Sequence, residues 1–502
     1  MSQNHESESP RVACGPPRCS FFGGMKAISS TMSKLLSTLQ PSRTLLADTA
    51  AYDSARHEYW SREQINARPA CFFRPESAPD VSLALIVLQH AQCPFAVKSG
   101  GHGRSVGESS INTGVTIDLK NLNHINVSED RTSVEIGPGN RWIDVYSALD
   151  PLGVTVVGGR AGNVGIGGFL LGGGISFLTN KYGLATDNVE AFEIVLADGQ
   201  IKRASPSSDA DLYKALRGGG ANLGIVTSFK LTLYPQGSMW GGPRAYGLEH
   251  RESLLSAFWD YGYDNKHNSD MGWIFSLVNY EDEWVWAADL IYLLPEVPVG
   301  KPIFKDILEI PAAFDQTSIA TQSQRVTEMA SLFVNGRNNA FWTLCTKVDK
   351  QIVRFYFDTW KSETKDLLGG SAKFLHAECQ FITANVTKAM ERNGGNATGL
   401  AGQEPFLVFL MEPWWEDDHD TPAIERAMRN TAQKVQTEAQ RLGVQHDYLY
   451  VNYSGPYQDP FSGYGTEAKD ELRRTAAKYD PKGVFQKLRR SGFNLNGPLR
   501  AL

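Results

Sequence analysis

Residues 97–107, Val97-Lys98-Ser99-Gly100-Gly101-His102-Gly103-Arg104-Ser105-Val106-Gly107, combine one imidazole with four glycines. Glycine lets the backbone turn and present its N–H groups with little steric cost, the arrangement that wraps a phosphate or another anion. His102 at the centre offers a ring nitrogen to whatever the loop holds, although a histidine in a turn is otherwise an ordinary solvated polar residue. A second run, Val157 to Gly174, is half glycine and contains Arg160 and Ala161. A third, Arg217-Gly218-Gly219-Gly220-Ala221-Asn222-Leu223-Gly224-Ile225-Val226, leads into a strand-like stretch. Three such segments within about 130 residues suit an extended ligand with a diphosphate and flat rings better than one small anion.

Those loops need elements to hold them. Cys93-Pro94-Phe95-Ala96-Val97 before the first loop and Gly114-Val115-Thr116-Ile117-Asp118-Leu119 after it read as two short strands, so the loop reads as a turn between them. From about 68 to 238, β-branched runs alternate with helical stretches such as 80–90, an α+β or α/β pattern. Between about 240 and 445, the aromatic-rich runs 271–278, 284–292 and 405–412 read as strands of one sheet, interspersed with helical stretches such as 252–259. This block predicts a sheet with helices on one face and the other face left for a substrate. At 502 residues the chain exceeds the size at which single cores stop growing, so several units are expected. The expected division is a disordered or weakly helical tail over 1–45, a first domain over 46–238, a second over 239–445, and a segment over 446–502 that returns to the first.

Taken in order, Ser-Gly-Gly-His-Gly-Arg-Ser (99–105), Val-Gly-Ile-Gly-Gly (164–168) with Gly172-Gly173-Gly174, Tyr182-Gly183-Leu184-Ala185-Thr186-Asp187-Asn188-Val189, the run 217–226, Tyr450-Val451-Asn452-Tyr453 and Lys478-Tyr479-Asp480-Pro481-Lys482-Gly483-Val484-Phe485 form a recognisable series. The chain resembles the FAD-linked oxidases of the p-cresol methylhydroxylase/vanillyl-alcohol oxidase fold, and within them the berberine bridge enzyme-like group, over roughly residues 45–495. The resemblance implies an α+β fold: a PCMH-type FAD-binding domain of two α/β subdomains, and a substrate domain whose antiparallel sheet is covered by helices on one face.

It also implies roles. His102 would carry FAD through a covalent bond to the 8α-methyl of the flavin. Ser99, Gly100, Gly101, Gly103, Arg104 and Ser105 in the first run would contact the cofactor, as would Gly159, Ala161, Val164, Gly165, Gly167, Gly168, Gly172 and Gly173 in the second, with Asn188, Gly224, Ile225, Val226 and Asn452 beyond them. Many relatives add a cysteinyl link four residues before Gly165, where this chain has Ala161 and can form none. A single tether lowers the flavin potential relative to two, which favours a small substrate over a bulky oligosaccharide. Tyr453 is the implied general base, a phenol whose pKa must fall from about 10 to act near neutrality, with Tyr450 second. Each is otherwise a buried tyrosine with a satisfied hydroxyl. Many relatives carry an aspartate where this chain has Gly455, so any help to Tyr453 must come from elsewhere. Glu412, in an apolar strand, is either an acid tuned upward by burial or a solvated strand end.

Other classes of function fit less well. Net charge −6 gives no basic footprint for nucleic acid, and no apolar run reaches the ~20 residues of a membrane span. No apolar leader of about 7–15 residues follows a basic start, so an intracellular, cytoplasmic protein is expected. The six cysteines, Cys14, Cys19, Cys71, Cys93, Cys345 and Cys379, are too irregular for a disulfide framework or a zinc cluster. The carboxylates and His419 of Trp414–Asp420 read as a solvated loop with no metal, and His376 and His446 read as structural. No Gly-x-Gly-x-x-Gly with an acidic residue ~20 positions on supports a nicotinamide enzyme. The expected activity is oxidation of a small specialised metabolite, hydride passing to flavin N5 and O₂ returning hydrogen peroxide. The alternatives are a redox-neutral flavin-scaffolded cyclase and a carbohydrate oxidase. The expected partners are a small substrate and O₂, with the oligomeric state open.

Overall fold

The computed structural model describes residues 18–264, 269–298 and 302–500. Its first sheet runs Thr44–Leu46, Cys71–Phe73, Val115–Asp118, Phe95–Lys98, and the last two strands are parallel to each other. The glycine loop between them is therefore a crossover connection and not the expected simple turn between two strands. A parallel connection must carry the chain back along the sheet, which is why it needs so many residues. Helix Ala78–His90 packs Val81, Ala84, Leu85 and Leu88 onto this sheet, and Ser77 caps it by accepting from the Asp80 N–H.

The expected tail ends earlier than residue 45. Arg18–Leu39 is a helix whose Leu36 is completely buried with Cys71, Phe73 and Leu85, while Ile28 and Met32 pack on the same core. Ile28, Met32 and Leu36 recur at every fourth position and so make one apolar stripe, which the polar composition of the region masks. Residues 1–17 lie outside the described residues.

A second, antiparallel sheet has the order Ile125–Val127, Ser133–Ile136, Ile225–Thr232, Val189–Val195, Ile201–Ala204. The third is the largest. Its main path includes Met239–Tyr246, Glu283–Tyr292, Met271–Tyr280, Ala372–Ile382, Phe406–Met411 and Trp342–Lys347, all antiparallel neighbours. Helices Arg251–Asp264, Lys350–Glu363 and Thr421–Leu442 share one core with this sheet, to which Leu375, Ala377, Cys379 and Phe381 all contribute. Successive side chains on a strand alternate between faces, so His376, Glu378 and Gln380 project from the side away from the helices. The strands at 271–280, 283–292 and 406–411 match the aromatic runs of the sequence.

After Gln445–His446 pairs with the large sheet, the chain turns through Val451–Tyr453. Helix Thr466–Tyr479 then packs against Ala210–Leu216, and Phe485 enters the core beneath the first sheet.

A buried ion pair pins the second sheet's unit to a loop of the third. Arg217 and Asp187 are fully buried 3.3 Å apart, Asn396 donates to the same carboxylate at 2.8 Å, and Arg217 also donates to the Gly395 carbonyl at 2.6 Å. Removing one member of such a pair strands a buried charge. Arg217→Leu should therefore cost about 3–5 kcal/mol in denaturant unfolding, and Asp187→Leu added to it should recover much of that loss. A single variant as stable as the parent would contradict this role.

Candidate functional site

Two glycine runs meet face to face. A Cβ on Gly100 or on Gly165 would overlap the other residue's Cα, so the backbones can touch only because neither has a side chain. Ser99 fastens the contact by donating to the Pro138 carbonyl and accepting from the Gly167 N–H at 3.0 Å. Further along the first loop, the N–H groups of Arg104 and Ser105 both donate to Glu108, at 3.0 and 3.1 Å. A carboxylate of the chain takes those two donors. The Arg104 guanidinium instead reaches the carbonyls of Asn452 and Ser454, at 2.7 and 2.9 Å, and ties the loop to the Tyr450–Tyr453 turn.

His102 stands between these parts. Its ring stacks on Trp60 with centroids 4.3 Å apart and planes 11° from parallel, and Phe333 meets its edge at 6.0 Å. Burial, then the charges of Arg104 and Arg141, hold the imidazole down to about 3. It is thus a neutral ring at physiological pH. Its Nε2 is out of solvent with no hydrogen-bond partner among the described residues.

Much of the second run closes on itself. Gly159 lies against the Trp142 ring, Ala161 is buried, and Gly162 and Val164 make backbone hydrogen bonds to Val326 and Trp142 and to Ala161. Asn452 fills the space a side chain at Gly172 would need and donates to the Phe169 carbonyl and to Tyr450 Oη, both at 3.0 Å. Gly173 has φ +112°, and a side chain at Gly168 would meet open space. Residues expected at the cofactor from the later motifs are bonded into the scaffold. Asn188 donates to the Tyr182 and Leu184 carbonyls and accepts from Tyr234 at 2.7 Å. Gly224 packs on Ile194, while Ile225 and Val226 are in register with Val195 and Ile194.

Opposite the loops lies the helix-free face of the large sheet. Tyr453 Oη accepts from Arg160 Nη2 and from Gln380 Nε2, the latter at 3.2 Å, and Arg160 Nη1 donates to Gln380 Oε1 at 2.7 Å. Gln380 Nε2 also donates to Glu378. A phenol has one proton and two acceptor positions, so a Tyr453 that accepts twice has its proton left to give to a third group. Burial pushes this phenol well above its ordinary value, and the pull of Arg160 does not offset it. The expected lowering of Tyr453 is therefore not found. Gly455, where relatives have an aspartate, lies so close to the Phe341 carbonyl that it leaves no room for a side chain.

Tyr450 is a supporting residue. It is 2% exposed, accepts from the Ile175 N–H at 2.9 Å, and sits edge-on to Tyr453 at 4.8 Å. Glu412 is buried and not a solvated strand end. Burial raises its carboxyl, while His376 and Arg104 pull it back. His376, expected to be structural, has Nδ1 3.5 Å from Glu412 and Nε2 2.9 Å from Ser276 Oγ. Asp289 is pushed up to about 6 by burial, against the pull of Arg160 and Arg325. Trp60, Phe341 and Leu410, with Phe333 and Tyr453 packed on them, form an apolar wall from the His102 loop to this face.

Sequence reading missed Arg160, Asp289, Glu378 and Gln380. Arg160 is the only charged residue in its glycine run, and His376, Glu378 and Gln380 alternate with apolar residues, so both signals were visible. What they faced was not.

Residues 69–205 match the family description "FAD binding domain". The chain is 33% identical over 94% of its length to FAD-dependent monooxygenase drtC of Aspergillus calidoustus, covering 91% of that protein. It is 32% identical over 87% of its length to FAD-dependent monooxygenase FUP4 of Fusarium proliferatum, again covering 87%. The chain belongs to the family of FAD-linked oxidoreductases that includes these two proteins. Its fold also matches 6-hydroxy-D-nicotine oxidase from Arthrobacter nicotinovorans, with TM-score 0.76 at 20% identity, covering 90% of this chain and 97% of that one. For xylooligosaccharide oxidase from Myceliophthora thermophila the TM-score is 0.74 at 16% identity, covering 93% and 99%. Among the described residues, no helix is long and apolar enough to cross a membrane.

FAD fits the residues present. The unpartnered Nε2 of His102, the side-chain-free approach of Gly100 to Gly165 and the open face of Gly168 are features a flavin nucleotide would use. The attachment of FAD at His102 expected from the sequence predicts that acid precipitation releases all the yellow chromophore from His102→Ala and leaves it in the pellet of the parent. A chromophore still bonded to the denatured His102→Ala chain would rule out this attachment point.

Proposed function

We propose that this oxidoreductase removes a hydride and a proton from a small, flat, largely apolar organic substrate, a specialised metabolite in place of a sugar. FAD, when bound, supplies the two-electron acceptor and the site at which O₂ is reduced to hydrogen peroxide. His102 would hold it covalently, and Ala161 provides no second link. The observation that carries the reading is the convergence of the His102 loop with a sheet face bearing Tyr453 and Glu412, joined by the wall of Trp60, Phe341 and Leu410.

Roles follow from the protons each group holds. Tyr453 keeps its own proton at neutral pH and gives a hydrogen bond to an acceptor oxygen of the substrate, strengthened by Arg160 behind it. Glu412, with its carboxyl raised by burial, is the proton acceptor, because a base works best when its pKa approaches the working pH. This moves the base role from Tyr453 to Glu412. The aromatic wall suits a planar substrate, whose ring would bury apolar area against it.

A panel of planar phenolic alcohols and of oligosaccharides, added aerobically, tests the reading: only the former should bleach the flavin band near 450 nm and yield peroxide. With a reactive compound, Glu412→Gln should slow flavin reduction by about 10²–10⁴-fold without loss of colour. Tyr453→Phe should weaken substrate binding about tenfold and affect the reduction rate less. Glu412 must be ionised to accept a proton, so reduction should fail as pH drops through its raised pKa. An acid limb at or below the ordinary glutamate value of about 4.3 would contradict the assignment.

A further inference from the structure

Resting on the reading of Glu412 as proton acceptor, we infer that His376, held in place by Ser276, is the positioning residue that sets the charge on Glu412. Ser276 and His376 come from neighbouring strands, and Glu412 directly follows the end of a third, Phe406–Met411. Register puts Ser276 opposite Glu378 and His376 opposite Val278, so the hydroxyl and the imidazole share a face one pleat apart. On the other side of His376, the Glu412 N–H donates to the His376 carbonyl at 2.9 Å, which fixes the glutamate beside the ring. The result is a line: Ser276 Oγ at 2.9 Å from Nε2, and Glu412 Oε2 at 3.5 Å from Nδ1.

Ser276 and Glu412 are buried, at 4% and 6% exposure, so neither has bulk water to complete its hydrogen bonding. Ser276 fixes the ring's rotation, and the ring in turn presents Nδ1 to the carboxylate. Phe374 flanks the imidazole at 5.4 Å and limits its tilt. The charged neighbours are few. Glu378 faces both His376 and Glu412 from the same strand as the histidine, and Arg104 faces Glu412 from the cofactor loop. Burial opposes charge on the imidazole, but Glu412 and Glu378 outweigh it and the ring is raised above its ordinary value. When the ring carries its proton, that charge favours the ionised form of Glu412. Without His376, Arg104 would still pull Glu412 down, and Glu378 would act against it.

The direction of the effect is therefore determined. An opposite charge within a few ångströms lowers a carboxyl, so its removal must raise Glu412. Infrared difference spectra of the flavin-loaded protein across a pH series would follow the C=O stretch of the protonated Glu412 carboxyl, identified by its loss in Glu412→Gln. His376→Leu should move the midpoint of that band upward by about one pH unit or more. His376→Gln, which keeps a neutral donor, should move it upward by less, and Ser276→Ala should move it slightly in the same direction. Yellow colour and an unchanged melting temperature would show each variant folded. If His376→Leu does not fold, the comparison of His376→Gln with Ser276→Ala decides.

An unmoved or lowered midpoint in the folded His376 variants would overturn the inference, as would a shift equally large in a variant that removes only Phe374. A merely structural histidine would change stability without shifting the band. Failure of the base reading is separate: it would appear as Glu412→Gln reducing its flavin at the parent rate, whatever the infrared titration shows.

Discussion

The two-residue period of strand Ala372–Ile382 is the constraint on which the site depends. One set of side chains, Leu375, Ala377, Cys379 and Phe381, is buried against helices. The intervening His376, Glu378 and Gln380 can then point only toward the cofactor loops. A register slip of one residue would bury an imidazole, a carboxylate and an amide among Phe and Trp side chains. The cost of that burial makes the arrangement unique. The same parity on the adjoining strands presents Ser276, Asp289 and Glu412 on the shared face, with Tyr453 and Arg160 packed over it.

On that face, burial raises a phenol and a carboxyl alike, and in the proposed reaction this separates their tasks. Tyr453 and Glu412 are both pushed upward, but from starting points on opposite sides of neutrality. The phenol moves further from ionising and becomes a firmer donor, while the carboxyl moves toward the range in which a base is effective. Arg160 does not turn Tyr453 into a phenolate. With Gln380 it occupies both acceptor positions of the phenol and so directs its proton outward. The loop side is built by a complementary economy of atoms. Gly100 and Gly165 lack the side chains that would separate the loops, Ser99 locks them together, and Trp60 holds the imidazole of His102 in plane.

The series of glycine motifs made the cofactor class and the fold legible, because a backbone that must approach a nucleotide closely tolerates few residue types. The aromatic-rich strands were legible for a similar local reason, a period of two with β-branched and aromatic content. Two local readings went astray. Polar neighbours mask the stripe Ile28, Met32, Leu36, and nothing in the residues of the loop at 99–114 distinguishes a parallel from an antiparallel pair.

Residue types and order alone determined the FAD-linked class of this chain, that position 161 offers no sulfur, and that Tyr453 and Glu412 carry groups suited to proton chemistry. Only the tertiary structure decided that Tyr453 lies against Arg160 and Gln380, that Glu412 is buried beside His376 and Ser276, and that Asn188 and Ile225 serve the scaffold. The physical reason is that proton affinity depends on desolvation and on charges a few ångströms away. Those neighbours come from strands and loops more than a hundred residues apart, and strand register brings them together.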